Sequence, residues 1–372
     1  MSAGTASRVL RAAGSRGLKL PRRVNVYEVG PRDGLQNERH ILDTQTKVAF
    51  VNKLSATGVS SVEAASFVSP KWMPSLADGA EVLQQITPAP GVHYPVLVPN
   101  MKGLERASKA GALTVALMAT PSETFSKRNM SSSVAESTAA AMAVAEAAHL
   151  AGIRTRAYIS CALGCPFEGF IHPDAVAELT AKLLRAGCYE VALSDTHGQG
   201  TPGSMEALLD AVTSHGVPAE TLAVHCHDTY GQALANVLVA LHYGVATVDA
   251  SVAGLGGCPL AGGTGNLATE DLVWMLDGLG VESGVDFDQA VAAGHFITRS
   301  LMRPNASRAA VARLRDKSKP NLEALSLSLD ERAKRDPTFH PTSDPSKPQS
   351  AIRRQPAAWV FEEPIIRKTP HA

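Results

Sequence analysis

Two histidines stand one residue apart at the end of an apolar run, in LAVHCHDTYG (222–231). Side chains alternate along a strand, so His225 and His227 face one way and Cys226 the other. Two imidazoles aimed at one point can share a metal ion, or both can be hydrogen-bonded core. Other groups with chemistry to offer sit at comparable places. Arg32 and Asp33 lie in GPRDGLQNE (30–38), Glu63 in SSVEAAS (60–66), and Asp195 ends YEVALSD (189–195). Cys258 and Asn266 lie in GLGGCPLAGGTGN (254–266). One carboxylate (Asp33), two imidazoles (His225, His227) and one amide oxygen (Asn266) form a ligand set suited to a divalent cation, with positions left for substrate.

Each of these residues also has a structural role open to it. An isolated Arg32–Asp33 ion pair on a surface contributes little. Glu63 lies among small residues and suits a partnered structural carboxylate. Cys258, like Cys188 and Cys226, can be a small hydrophobe. His215 and His242 are read as core or surface residues. CALGC (161–165) has no second cysteine pair and is not a zinc site. The joint placement of the candidate residues on one rim outweighs any single signal, and that placement depends on the fold.

Eight short β-rich runs recur along the chain: 24–30, 60–66, 94–99, 113–119, 154–161, 189–195, 222–228 and 246–254. Helix-like stretches such as TQTKVAFVNKLSATG (44–58) and HPDAVAELTAKLLRAG (172–187) separate most of them, several ending in Gly. Strands apolar on both faces and alternating with helices imply parallel pairing under helical cover. Eight such units predict an α/β fold of the (β/α)8 TIM-barrel type. An open doubly wound sheet would carry a Gly-rich turn after its first strand, and GPRDGLQNE lacks that fingerprint. In a barrel the strand C-termini carry the chemistry, which is where Arg32, Asp33, Glu63, Asp195, His225 and His227 fall.

At 372 residues with 45% apolar content, the chain can bury a sizeable core. A formal net charge of zero gives no reason to expect nucleic acid or an acidic membrane as partner. Five cysteines fit a reducing compartment better than a disulfide framework. Residues 1–22 hold no acidic side chain but carry Arg8, Arg11, Arg16, Lys19 and Arg22. That composition suits a mitochondrial transit segment or a disordered basic tail. Residues 23–305 are expected to form the barrel domain, and 306–333 a C-terminal helical region. Residues 334–372, with seven prolines, read as a disordered extension.

The stretches EVGPRDGLQNE (28–38), SFVSPKWMP (66–74), ISCALGCPFEG (159–169), AVHCHDTYGQALAN (223–236), GLGGCP (254–259) and GNLATEDLV (265–273) closely resemble the 3-hydroxy-3-methylglutaryl-CoA lyase family. These are metal-dependent TIM-barrel enzymes. The resemblance runs from about Val24 to about Arg303. It implies retro-Claisen cleavage of 3-hydroxy-3-methylglutaryl-CoA to acetyl-CoA and acetoacetate with Mg2+ or Mn2+, as in leucine catabolism and ketone-body formation. Asp33, His225, His227 and Asn266 are the implied metal ligands. Arg32 would stabilise a developing oxyanion and, with Gln36, bind substrate. Asp195 or a held water would accept the hydroxyl proton, with Glu63 in support, and Cys258 would protonate the acetyl-CoA enolate. The resemblance further implies an acyl-CoA substrate, a homodimer, and a mitochondrial matrix location, with the cytoplasm as alternative.

Related synthases that condense acetyl-CoA with 2-oxo acids, and pyruvate-type aldolases or carboxyltransferases, do not need the GGCP loop. Cys258 is therefore the discriminating residue. Two departures leave room for a different 3-hydroxyacyl substrate or an impaired barrel. CPLAGGTGN is one residue shorter than the expected loop, and His197 stands after Asp-Thr where an apolar residue is usual.

Overall fold

A computed structural model describes residues 19–36, 38, 40–257 and 265–316. Residues 1–18 of the expected basic segment 1–22, the Cys258 thiol, residues 317–333 of the expected C-terminal helical region 306–333 and the whole expected extension 334–372 lie outside the described residues. The extended runs are β1 (Asn25–Glu28), β2 (Ser61–Val62), β3 (Ala65–Ser66), β4 (Val96–Leu97), β5 (Thr114–Ala119), β6 (Arg154–Ile159), β7 (Glu190–Asp195), β8 (Leu222–Cys226) and β9 (Thr247–Ala250). All pair in parallel, in the order β2-β1-β9-β8-β7-β6-β5-β4-β3.

β2 and β3 are two pieces of one predicted strand, interrupted at Glu63–Ala64. There the backbone splits its loyalties: Glu63 N donates to Glu28 O at 2.9 Å on one side, and Ala64 N to Pro95 O at 2.9 Å on the other. The second strand thus joins β1 to β4, and the sheet closes as a TIM barrel of eight strands. Each predicted β run holds one of these strands.

The helices are α1 (Thr44–Ser55), α2 (Gly79–Gln85), α3 (Met101–Lys109), α4 (Glu123–Met130), α5 (Val134–Leu150), α6 (Pro173–Arg185), α7 (Pro202–Ser214), α8 (Ala233–His242), α9 (Thr269–Leu279), α10 (Phe287–Ser300) and α11 (Arg308–Arg315). Local sequence sets their starts. Asp43, Asn100, Ser122, Ser133, Thr201, Asp286 and Ser307 each accept a backbone N–H of the first turn. Ser133 and Glu136 complete a reciprocal capping pair that starts α5. The short α4 shares its connection with α5, so one βα unit carries two helices.

Alternation along the strands divides the core in two. Val26, Val62, Val96, Val115, Leu117, Val191, Leu193, Val224 and Val248 are buried in the cluster beneath the helices. Leu97, Ala116, Tyr158, Ala192 and Ala223 form a separate cluster on the inner face. That face is mostly small or polar, and the space left by its alanines holds the charged groups described next.

Candidate metal centre

Immediately after β1 the chain makes one π-type turn, Gly30–Gly34, in which Arg32 N, Asp33 N and Gly34 N all donate to Val29 O. Gly30 admits no side chain there, because a Cβ would lie 2.6 Å from Glu28 Oε1. The turn directs Arg32 and Asp33 across the barrel mouth. Opposite it, His225 is the penultimate residue of β8, and His227, just past the strand, pairs by an isolated bridge with Asn266.

Asp33, His225 and His227 each offer one ligand atom, all within 4.8 Å of one another. Asp33 Oδ2 is 3.8 Å from each imidazole Nε2, and the two Nε2 atoms are 3.2 Å apart. Asn266 Nδ2 donates to Asp33 Oδ2 at 2.9 Å and to Leu255 O at 2.9 Å. Among the described residues, that leaves Asn266 Oδ1 buried with no partner. The four sequence-predicted ligand residues therefore come together from three separate places in the chain.

The donor chemistry fits a divalent cation. Burial, with His225 and Arg32 nearby, lowers the His227 pKa to about 4, so its imidazole is neutral and able to ligate. Arg32, His225, His227 and the Asn266 amide outweigh the opposing effect of burial and hold Asp33 at about 2, as a carboxylate. A buried amide oxygen with no donor among the described residues, beside two imidazoles and an ionised carboxylate, is a cradle for a cation.

Around this centre the remaining predicted residues fall in different relations. Arg32 donates to Asp33 Oδ1 at 2.6 Å and to Glu63 Oε2 at 2.8 Å, and both pairs are largely buried rather than exposed. Glu63 also accepts from Tyr158 Oη at 2.7 Å. Asp195, at the end of β7, accepts from Gly200 N at 2.9 Å, while its Oδ1 is buried with no partner among the described residues. Desolvation pushes the Asp195 carboxyl up to about 6. Gln36 is half-buried, its carbonyl held by Ser75 Oγ at 2.9 Å. His197 is half-buried on the same rim, edge-on to Tyr230. His215 and His242 are exposed, while Cys161, Cys165, Cys188 and Cys226 are buried.

Sequence reasoning missed three residues beside the site: Tyr158, Arg156 and Asp249. Asp249 Oδ2 lies 3.1 Å from His225 Nδ1. Arg156 grips Asp249 with two bonds of 3.0 and 2.5 Å and reaches Glu190 at 2.8 Å. A usable signal existed, since a charge in mid-strand of a covered parallel sheet demands a buried partner.

Among proteins of known kind, hydroxymethylglutaryl-CoA lyase, mitochondrial, from Pongo abelii is 55% identical over 294 residues, covering 79% of this chain and 90% of the relative. The corresponding human protein is 54% identical with the same coverage. A 3-hydroxy-3-methylglutaryl-CoA lyase named cytoplasmic, from Rattus norvegicus, is 51% identical over 79% of this chain and 85% of its own length. The crystal structure of hydroxymethylglutaryl-CoA lyase from Pseudomonas aeruginosa superposes with a TM-score of 0.77 at 50% identity, over 79% of this chain and 98% of that one. The carboxyl transferase domain of Rhizobium etli pyruvate carboxylase, at 19% identity and a TM-score of 0.56, covers 89% of this chain and 55% of its own and shares the fold alone. A family model described as HMGL-like matches residues 23–297. The chain belongs to the HMGL-like family of metal-dependent TIM-barrel enzymes.

Proposed function

We propose that this chain cleaves 3-hydroxy-3-methylglutaryl-CoA to acetyl-CoA and acetoacetate. The observation that carries the reading is the convergence of Asp33, His225, His227 and Asn266, with the orphaned Asn266 Oδ1, at the barrel mouth of a chain about 54% identical to lyases of that name. These four residues would hold the cation, Mg2+ or Mn2+. When bound, it lowers the pKa of the substrate hydroxyl and orients the carbon–carbon bond to be broken.

The chain's own groups account for the rest. Asp195, with its raised pKa and free Oδ1, is the acceptor for the C3 hydroxyl proton. Arg32, fixed by Asp33 and Glu63, presents a permanent cation to the oxygen that gains charge as the thioester enolate forms. Tyr158 and Glu63 orient that guanidinium rather than touch substrate. Gln36 contacts substrate beside Arg32. Cys258 delivers the proton that converts the enolate to acetyl-CoA, and its glycine-flanked loop lets it approach.

The protein acts as a homodimer in the mitochondrial matrix on this reading, with the cytoplasm as the alternative. Among the described residues, no helix is long and apolar enough to cross a membrane. The test is acetoacetate release from 3-hydroxy-3-methylglutaryl-CoA with Mg2+, with Mn2+ and with EDTA. Metal-dependent release supports the reading. Folded, metal-loaded protein that releases none has lost the reaction or turned to another 3-hydroxyacyl-CoA.

A further inference from the structure

Inside the barrel, beneath the centre, lies a charge network that the proposed reaction does not use. Arg156 on β6 is fully buried, with its guanidinium carbon 4.0 Å from the Tyr27 ring centroid and 4.8 Å from that of Tyr158. It bonds Glu190 on β7 through Nε and Asp249 on β9 through both terminal nitrogens. Asp249 is itself buried and reaches one further group, His225 Nδ1, at 3.1 Å. An unbroken run of hydrogen bonds therefore connects Glu190, Arg156, Asp249 and His225 from the barrel interior to its mouth.

We propose that Asp249, clamped by Arg156, is a positioning residue that presets His225 as a metal ligand by accepting its Nδ1–H. This rests on the reading of His225 as a ligand. The reasoning is one of proton bookkeeping. A carboxylate already accepting two guanidinium bonds can only accept from the imidazole, so Nδ1 carries the hydrogen and Nε2 presents its lone pair to the centre. The Nε2 atoms of His225 and His227 lie 3.2 Å apart, so the lone pair that this tautomer exposes on His225 faces the shared centre.

Formal charge supports the same design. Arg156 with Asp249 and Glu190 sums to −1, and Arg32 with Asp33 and Glu63 sums to −1. Two arginine-centred trios, each with a net charge of −1, together complement a dication. Asp249 belongs to the network rather than the ligand set, so it acts through His225 and not on substrate.

Two measurements on the full chain test this. The first uses 15N-histidine-labelled, metal-free wild-type protein and reads the ring-nitrogen shifts. His225 is expected as the Nδ1–H tautomer both before and after adding Mg2+. His225 found as Nε2–H overturns the proposal, and needs no variant to fold. The second is Mn2+ titration followed by electron paramagnetic resonance, without substrate. Asp249→Asn should bind Mn2+ about 10- to 100-fold more weakly than wild type. A folded Asp249→Asn with the wild-type Kd overturns the positioning role while leaving the metal site intact. Wild-type protein that binds no Mn2+ overturns the metal reading itself, and the proposal with it.

Discussion

Arg32 shows how much of this site depends on one side chain's shape. Its guanidinium spans two carboxylates, at 2.6 Å to Asp33 and 2.8 Å to Glu63, while lying 5.0 Å from the Tyr158 ring centroid. A lysine ammonium is a single point and cannot span both partners in that geometry. Arg32→Lys is therefore expected to lower kcat about 100- to 1,000-fold, the loss typical of a misplaced oxyanion donor. Mn2+ binding should change far less, because Asp33 itself remains. Steady-state kinetics beside a metal titration checks both; equal losses in the two would place Arg32 in the metal site rather than in transition-state stabilisation. The cluster of Asp33, His225, His227 and Asn266 was legible because His-X-His, Arg-Asp and the Asn-bearing loop each carry local spacing. Tyr158, Arg156 and Asp249 were not, because each takes its meaning from a partner on another strand, 24 to 95 residues away.

At the scale of elements, two buried glutamates tie the catalytic turn to the loop that carries Asn266. Glu28 accepts from Gly30 N at 2.9 Å, Val252 N at 3.1 Å and Thr269 Oγ1 at 2.6 Å. Glu270 accepts Ala253 N with both oxygens, holding a non-glycine residue at φ 59°. Desolvation raises Glu28 to about 7 and Glu270 to about 8 against an ordinary value of 4.5. Between 4.5 and those values the folded state binds more protons than the unfolded chain, so stability falls as pH rises through the window. His227, depressed to about 4, gives the opposite slope only below about 6.5, its ordinary value. Thermal melts of metal-free protein from pH 6.5 to 8.5 should show declining Tm, with a shallower decline in Glu270→Gln. An unchanged slope in that variant would refute the assignment. The same loop supplies a geometric test. Gly256 sits at φ 107°, and a Cβ there would come within 2.4 Å of Asn266 Nδ2. Gly256→Ala should displace that amide and weaken Mn2+ binding about tenfold or more by titration. None of these ties shows in the sequence, where Glu28 and Glu270 stand 242 positions apart as unremarked strand-end and helix-start acids. The eight strands did show, because apolar runs broken by helix caps are local signals.

For the molecule as a whole, the barrel and the Cys258 loop divide the labour. The closed sheet and the segments at its mouth bring Asp33, His225, His227 and Asn266 together, whereas the proposed proton donor is Cys258, so metal binding and turnover should separate. A cation that binds only the folded chain stabilises it by RT ln(1 + [L]/Kd), about 2.7 kcal/mol at a hundredfold excess over Kd. For a barrel of this size that is a Tm rise of a few degrees. Wild-type protein should show this rise with Mn2+ and lose it with EDTA, and the double variant His225→Ala, His227→Ala should show none. Cys258→Ala should keep the full rise yet release almost no acetoacetate, because the enolate lacks its proton donor. Should Cys258→Ala also lose the thermal shift, the thiol would have to be part of the metal site. Should it keep both the shift and the activity, the shortened CPLAGGTGN loop would have surrendered its proton to another group, and the rim residues His197 and Asp195 would be the first to substitute in search of it.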